Sequence, residues 1–232
     1  MTKKILFLGC SNLAEDGQPQ NKEQVWKDVV FGDDVEITNL AWPGGGNQFI
    51  FGNCVDYISD HKVDYVYCQF TGLCRYDIPI NENGALSEYF YAPKTYKRRY
   101  LCSGGRVGGW CSNDKLKKIF WPIYWKNKEY DHVARESVQA VAGTIWFLQQ
   151  NKIPFNWTFY YNILNPAHPD QEMYDGRAQE FPKILDKTNW IDSDPHTFCY
   201  KNNGLAKDNC HFKNEVYKDW VKSIQDQLNY KS

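Results

Sequence analysis

No stretch of this 232-residue sequence approaches the roughly 18 consecutive apolar residues that a membrane-spanning helix requires. The opening MTKKILFLGC holds two lysines and a short apolar run that stops at Gly9-Cys10-Ser11. It lacks the longer apolar region and small-residue cleavage site of a signal peptide, and so predicts a first β-strand. Neither sign of charge dominates: 27 Lys+Arg against 28 Asp+Glu leave a formal net charge of -1. That balance excludes a polyanion binder working through global charge and leaves room only for a local basic patch. None of the eight cysteines forms a CxxC pair, and several sit in apolar runs such as Val66-Tyr67-Cys68. Buried reduced thiols are expected rather than disulfides or a metal cluster, and the expected compartment is the cytoplasm. No G-x-G-x-x-G follows the first strand and no P-loop pattern occurs, so no cofactor is expected. There is no internal repeat and no low-complexity tract.

Aromatic residues, by contrast, are abundant: 16% of the chain, with 9 Trp, 16 Tyr and 13 Phe. So many rings exclude disorder. They either fill a core or line a recognition surface. The length fits a single domain, 1–232, carrying an insertion.

Hydrophobic pattern supplies the architecture. Ile5 to Leu8 is a continuous apolar run, the mark of a strand buried on both faces. A short helix is predicted over Glu23 to Val30, a second strand over Val35 to Leu40, and a third over Val63 to Phe70. Between the last two, Asn47 is placed to cap a helix reaching about Asp60, with Phe49, Ile50, Val55 and Ile58 facing inward. Strand and helix alternating through short links predict a parallel α/β sheet. The rhythm breaks from about 76 to 128, an aromatic-rich insertion whose rings, Trp110, Trp121 and Trp125 among them, suit a lid or ligand platform. Its basic cluster, Lys94, Lys97, Arg98 and Arg99, is expected to be solvated surface, with nucleic acid a distant option. A helix from about Asp131 ends at Pro154, a strand follows over Phe155 to Ile163, and a proline-rich loop holds a short helix near 176–186. An amphipathic helix from about Asn214 to Leu228 closes the chain. Trp26, Trp146 and Trp220 lie on helices and are expected to pack on the sheet.

Chemistry-bearing residues gather at one edge of such a sheet. In open α/β sheets ligands bind outside the carboxyl ends of the strands. Ser11 stands there after the first strand, placed either as an exposed hydroxyl or as a helix N-cap. After the second strand comes Asn39-Leu40-Ala41-Trp42-Pro43-Gly44-Gly45-Gly46-Asn47. Its glycines let backbone N–H groups approach a ligand as an oxyanion hole requires, or simply make a tight turn. Before the last helix stands Asp208-Asn209-Cys210-His211, in which an acid three residues ahead of an imidazole can orient it. His168 and Asp170 lack further ligands at metal-binding spacing and read as a loop, so no metal is expected.

Three of these blocks in this order resemble the SGNH (GDSL-type) hydrolase family: Gly9-Cys10-Ser11, Asn39 with Gly44 five residues later, and Asp208-x-x-His211. The resemblance implies a flavodoxin-like three-layer α/β/α fold and ester hydrolysis through an acyl-enzyme. It makes Ser11 the nucleophile, His211 the general base, Asp208 its orienter, and the N–H groups of Ser11 and Gly44 oxyanion donors. Two departures stand out. Cys10 replaces an Asp whose side chain does no chemistry, and Gln69-Phe70-Thr71-Gly72-Leu73-Cys74-Arg75 lacks the Asn of the family's third block. Loss of such a donor costs roughly 10²–10³ in rate. Thr71, Gly72 or Arg75 are the available substitutes. Arg75 could hold a substrate anion or pair with Asp77, and Asn47 and Trp42 complete the expected substrate contacts. The shortened block resembles SGNH-like proteins encoded by bacteriophages, which would place the protein in a host cytoplasm or a virion. The expected partner is a small-molecule or glycan ester, with no membrane, and the oligomeric state stays open. A carbohydrate O-deacetylase leads; a catalytically weak carbohydrate-binding or virion structural module on the same fold is the alternative.

Overall fold

A computed structural model describes residues 2–11, 13, 22–73, 75, 77–80, 99–102, 130–160, 185–205 and 212–230. Asp208 and His211, the loop of His168 and Asp170, most of the insertion and nearly all of the helix expected near 176–186 lie outside the described residues. In chain order the elements are β1 (Lys3–Leu8), α1 (Lys22–Trp26), β2 (Val35–Asn39), α2 (Asn47–Asp60), β3 (Tyr65–Phe70), β4 (Asp77–Ile80), β5 (Arg99–Cys102), α3 (Tyr130–Gln150), β6 (Phe155–Phe159), α4 (Pro195–Lys201) and α5 (Asn214–Ile224). A π-helical turn, Lys27–Phe31, prolongs α1 until Gly32 adopts a φ of 76°.

Four strands form one parallel sheet in the order β2-β1-β3-β6, while β4 and β5 make a separate antiparallel ribbon that opens the insertion. From β1 the chain moves outward to β2, then crosses back over β1 to β3. That reversal leaves a crevice outside the carboxyl ends of β1 and β3, where ligands of doubly wound sheets bind. Alternate residues feed two cores. Leu6, Leu8, Val66, Cys68, Phe70, Trp157 and Phe159 pack against α2 and α3. Ile5, Phe7, Tyr65 and Tyr67 pack against α1 and α5, through Trp26, Phe31, Tyr217 and Trp220. Burial on both faces explains the unbroken apolar runs of β1 and β3. The result is the expected three-layer α/β/α arrangement.

Several local expectations are corrected. Asn47 does not cap α2. Gly46 is the N-cap and offers no side chain; the buried carboxylate of Asp77 on β4 takes the N–H groups of Gly46 and Phe49, each at 3.0 Å. Val55 is only half-buried, because the inward stripe of α2 runs through Phe49, Ile50, Asn53 and Cys54. Trp146 is 61% exposed, since Val138, Val141, Ile145 and Leu148 define the inner face of α3 and Trp146 steps about 100° beyond Ile145. In the segment read as loop, Pro195 is the first residue of α4, whose N-cap Asp194 accepts from the Thr197 N–H at 2.6 Å. The described free thiols, Cys10, Cys54, Cys68 and Cys199, are all buried.

One charged group lies inside the α1/α5 core. Lys22 is 3% exposed, donates from Nζ to Asn214 Oδ1 at 3.3 Å and stands 4.2 Å from the Tyr217 ring centroid. Burial lowers its pKa to about 8, against the opposing pull of Cys199 and Glu215. Burial in turn raises Cys199 to about 12 and lifts Tyr65, Tyr67 and Tyr217 above the usual phenol range.

Two outcomes are expected. Asp77→Ala removes the remote cap and lowers unfolding free energy by about 1–3 kcal/mol in urea titrations. The second concerns alkaline pH. Between pH 8 and 10.5 unfolded Lys22 holds a proton that the native amine has lost, so its contribution to stability grows as pH rises through that window. The buried phenols and thiols act in the opposite sense, losing stability as pH climbs above their unfolded values. The difference between wild type and Lys22→Met therefore isolates the lysine. It shifts in favour of wild type between unfolding curves measured at pH 7 and at pH 10.

Candidate active site

The carboxyl end of β1 turns at once. The Leu13 N–H donates to the Cys10 carbonyl at 2.9 Å, closing a four-residue turn with Ser11 in its second position. Ser11 is half-buried, whereas Cys10 is fully buried in the α1/α5 core. Cys10 also bridges Trp42 in parallel, and the Trp42 N–H donates to the Gly9 carbonyl at 3.1 Å. The ends of β1 and β2 are thus joined beyond the regular sheet. Asn39 strengthens the joint: its Nδ2 donates to the Leu13 carbonyl at 2.9 Å, and its Oδ1 accepts the Ala41 N–H at 3.0 Å. One side chain therefore ties the Ser11 turn to the segment carrying the glycines.

Those glycines form a second turn. The Gly45 N–H donates to the Trp42 carbonyl at 3.0 Å, with Pro43 in the second position and Gly44 in the third at a φ of 84°. Proline followed by a residue of positive φ is the signature of a type II turn. Arg75 Nη1 donates to the Gly45 carbonyl at 3.1 Å, and Asp77 takes the next N–H, that of Gly46. A Cβ on Gly46 would fall 2.5 Å from Asp77 Oδ2 and 3.0 Å from Arg75 Cβ, so only glycine allows this approach. Among the described residues, no acceptor takes the N–H of Gly44 or of Gly72.

After β3 the arrangement departs from the expected roles. Asn47 is fully buried; its Nδ2 donates to the Thr71 carbonyl at 3.2 Å and to Ser137 Oγ at 2.7 Å, and its Oδ1 accepts the Thr71 N–H at 2.9 Å. It clamps the β3 exit to α2 and α3 instead of lining a binding surface. Thr71 is equally buried, with its N–H engaged by Asn47 and its hydroxyl 3.4 Å from the Gly72 carbonyl. Trp42 is half-buried against the α2/α3 core. Arg75 braces the glycine turn.

The residues bracketing the Asp208–His211 block are described. Leu205 and Phe212 form an antiparallel bridge around it. Phe212 is fully buried in the same core as Cys10 and Leu13. Its ring stacks on Tyr160, centroids 5.6 Å apart, and on Tyr217 at 5.7 Å. Tyr160 follows β6 and donates its N–H to the Phe70 carbonyl. Chain immediately after His211 is therefore anchored at the carboxyl edge that carries Ser11.

Sequence reasoning named Asp77 only as an ion-pair partner for Arg75, missing its grip on the start of α2, and missed Ser137 altogether. Neither carries a local signal, because their partners lie 28–31 and 90 positions away. Among the described residues no group of three His, Cys, Asp or Glu side chains is placed to hold a metal ion.

No protein-family model matches the chain, and no curated protein matches it by sequence. Solved structures do. One is Axe2, an acetylxylan esterase from Geobacillus stearothermophilus, with a TM-score of 0.55 and 12% identity over 99% of this chain and 95% of that one. Another is the lipase Lip_vut3 from a goat rumen metagenome, with a TM-score of 0.50 and 14% identity over 96% of this chain and 97% of that one. At such identities the shared property is the fold: a parallel sheet between helical layers, similar to that of these esterase and lipase structures.

Proposed function

We propose that this protein is a serine ester hydrolase of the SGNH type. The observation that carries the reading is the joint at the switch point. There, Asn39 ties the turn bearing Ser11 to the segment bearing Gly44, whose N–H has no acceptor among the described residues. In this reading Ser11 Oγ attacks an ester carbonyl while His211, oriented by Asp208, takes its proton. The oxyanion is held by the N–H groups of Gly44 and Ser11, with Gly72 the remaining backbone donor after β3. His211 then returns the proton to the departing alcohol, and a water activated by the same imidazole releases the acid from Ser11. Backbone donors fixed before substrate arrives need no reorganisation as charge develops. An O-acetylated carbohydrate is the favoured substrate, in keeping with the acetylxylan esterase among the fold's neighbours.

One observation favours a second reading, a carbohydrate-binding or virion structural module with weak catalysis. Thr71, at the place of the third block, is buried with its N–H already spent on Asn47.

A fluorophosphonate probe separates the two. On the hydrolase reading the wild type is labelled at Ser11, and Ser11→Ala is not. Absence of wild-type labelling, or equal labelling of the variant, supports the binding module. Replacing His211 with Ala is expected to lower kcat on p-nitrophenyl acetate by about 10³ or more, with the circular dichroism spectrum unchanged.

A further inference from the structure

The core that receives the chain after His211 holds a charge. Lys22, the first residue of α1, is buried there, and its Nζ donates to Asn214 Oδ1 at 3.3 Å. The same atom stands 4.2 Å from the Tyr217 ring centroid and 5.8 Å from that of Phe212, both within the range of a cation–π attraction. Those two rings lie nearly parallel, 7° apart, with centroids separated by 5.7 Å. All three contacts therefore fall on the chain that follows His211: Phe212 is its neighbour, and Asn214 and Tyr217 belong to α5.

Packing does not account for a lysine at this place. Val25 and Trp26 already supply the apolar contacts of α1, and a buried ammonium carries a desolvation cost that a methionine of similar length avoids. What the charge adds is direction, since two stacked rings and one amide oxygen must meet a single point. From the other side, Lys213 donates its N–H to the Gly204 carbonyl at 2.7 Å and its Nζ to the Asn203 carbonyl at 2.8 Å. The segment is thus gripped by α1 and by the exit of α4. Cys10 and Leu13, on either side of Ser11, belong to the same core as Phe212 and Tyr217.

We infer that Lys22 is a positioning residue: its ammonium, seated against Phe212 and Tyr217 and bonded to Asn214, fixes the segment that carries His211. The catalytic part of this inference rests on the hydrolase reading above; the grip on the segment does not.

The grip has a pH limit. Burial brings the ammonium to a pKa of about 8, opposed by the Cys199 thiol of α4 and the Glu215 carboxylate of α5, which both hold the proton on. Burial also lifts Cys199 to about 12 and the Tyr217 phenol above its ordinary range, so both stay neutral while Lys22 titrates. As pH rises past 8 the cation–π attraction is lost and only the hydrogen bond to Asn214 is left of the three contacts.

Aromatic NMR and kinetics on the full chain test this. The Phe212 and Tyr217 ring signals of the wild type are expected to shift between pH 7 and pH 10 with a midpoint of about 8, and to lose that transition in Lys22→Met. With p-nitrophenyl acetate, corrected for spontaneous hydrolysis, wild-type kcat falls about fivefold over the same window. In Lys22→Met kcat is already lower by about fivefold at pH 7, KM changes by less than about twofold, and the decline with pH is gone. The unfolding free energy of Lys22→Met at pH 7 is not lowered, which separates the lost rate from lost stability. Asn214→Ala, at a half-buried position, lowers kcat by about threefold. The inference is overturned if the wild-type ring signals do not titrate, if they titrate alike in Lys22→Met, or if both proteins share kcat at pH 7. Ring signals that follow Lys22 in a protein that no fluorophosphonate labels would sink the hydrolase reading and leave Lys22 as the anchor of this segment.

Discussion

Everything at the carboxyl edge depends on how α2 begins. Its first turn follows three glycines and has no capping side chain of its own, yet it must hold the end of β2 in a fixed relation to β1. The missing cap comes from Asp77, a buried carboxylate on β4 that takes two helix N–H groups. A negative charge at this place also meets the positive end of the helix dipole, which offsets part of the cost of burying it. Arg75 holds the adjacent carbonyl from the same segment. Strand β4, at the start of the insertion, thus holds the end of the glycine turn and the first turn of α2 in place.

The aromatic load takes on a meaning that composition alone could not give it. Trp26, Trp157, Trp220, Tyr65, Tyr67 and Tyr217 are among the largest fully buried side chains. On the α1/α5 side they form a continuous set of ring contacts: Trp26 lies 4.4 Å from Tyr67, and Tyr217 5.4 Å from Trp220. The same set reaches Phe212, the residue after His211, through Tyr217. Rings that pack the core also fix where the final block re-enters it. Core and site are thus not competing uses of these residues among those described.

Legibility in the sequence followed the range of the interactions involved. Strands buried on both faces announce themselves as apolar runs, and β1, β2, β3 and β6 begin and end within a few residues of their expected bounds. The period of α3 gave its extent but not its inner face, since a tryptophan scores as apolar wherever it points; Trp146 points to solvent. A cap was expected from the nearest suitable side chain, Asn47, whereas the one in place comes from Asp77 through a fold-back no local pattern encodes. Helix α4 was hidden because Pro195 looks like a breaker until Asp194 is seen ahead of it as the cap. The placing of Ser11 and Gly44 in turns just after β1 and β2 was legible from the strand pattern. The structural duties of Asn47 and Thr71 were not, because both depend on a contact between segments 24 positions apart.

Two asparagines divide the task of assembling this edge. Asn39 joins the exits of β1 and β2, and Asn47 joins the exit of β3 to both helices of one layer. Asn39 puts its donor on the Leu13 carbonyl and its acceptor on the Ala41 N–H, whereas Asn47 grips both backbone groups of Thr71 and reaches Ser137 with the same Nδ2. Turns held in this way cost little further ordering when a ligand arrives. The same economy sets a limit. An amide committed to clamping Thr71 cannot also meet a developing oxyanion. On the hydrolase reading proposed above, with the third-block asparagine absent, charge stabilisation falls on the backbone N–H groups of the two turns. If the chain is a hydrolase, its rate then depends on the rigidity of the Gly44 turn, and so on Arg75 and Asp77 outside the three sequence blocks. An enzyme built so would favour esters whose alcohol side is itself anchored beside that turn, since binding there can substitute for the missing donor in positioning the carbonyl.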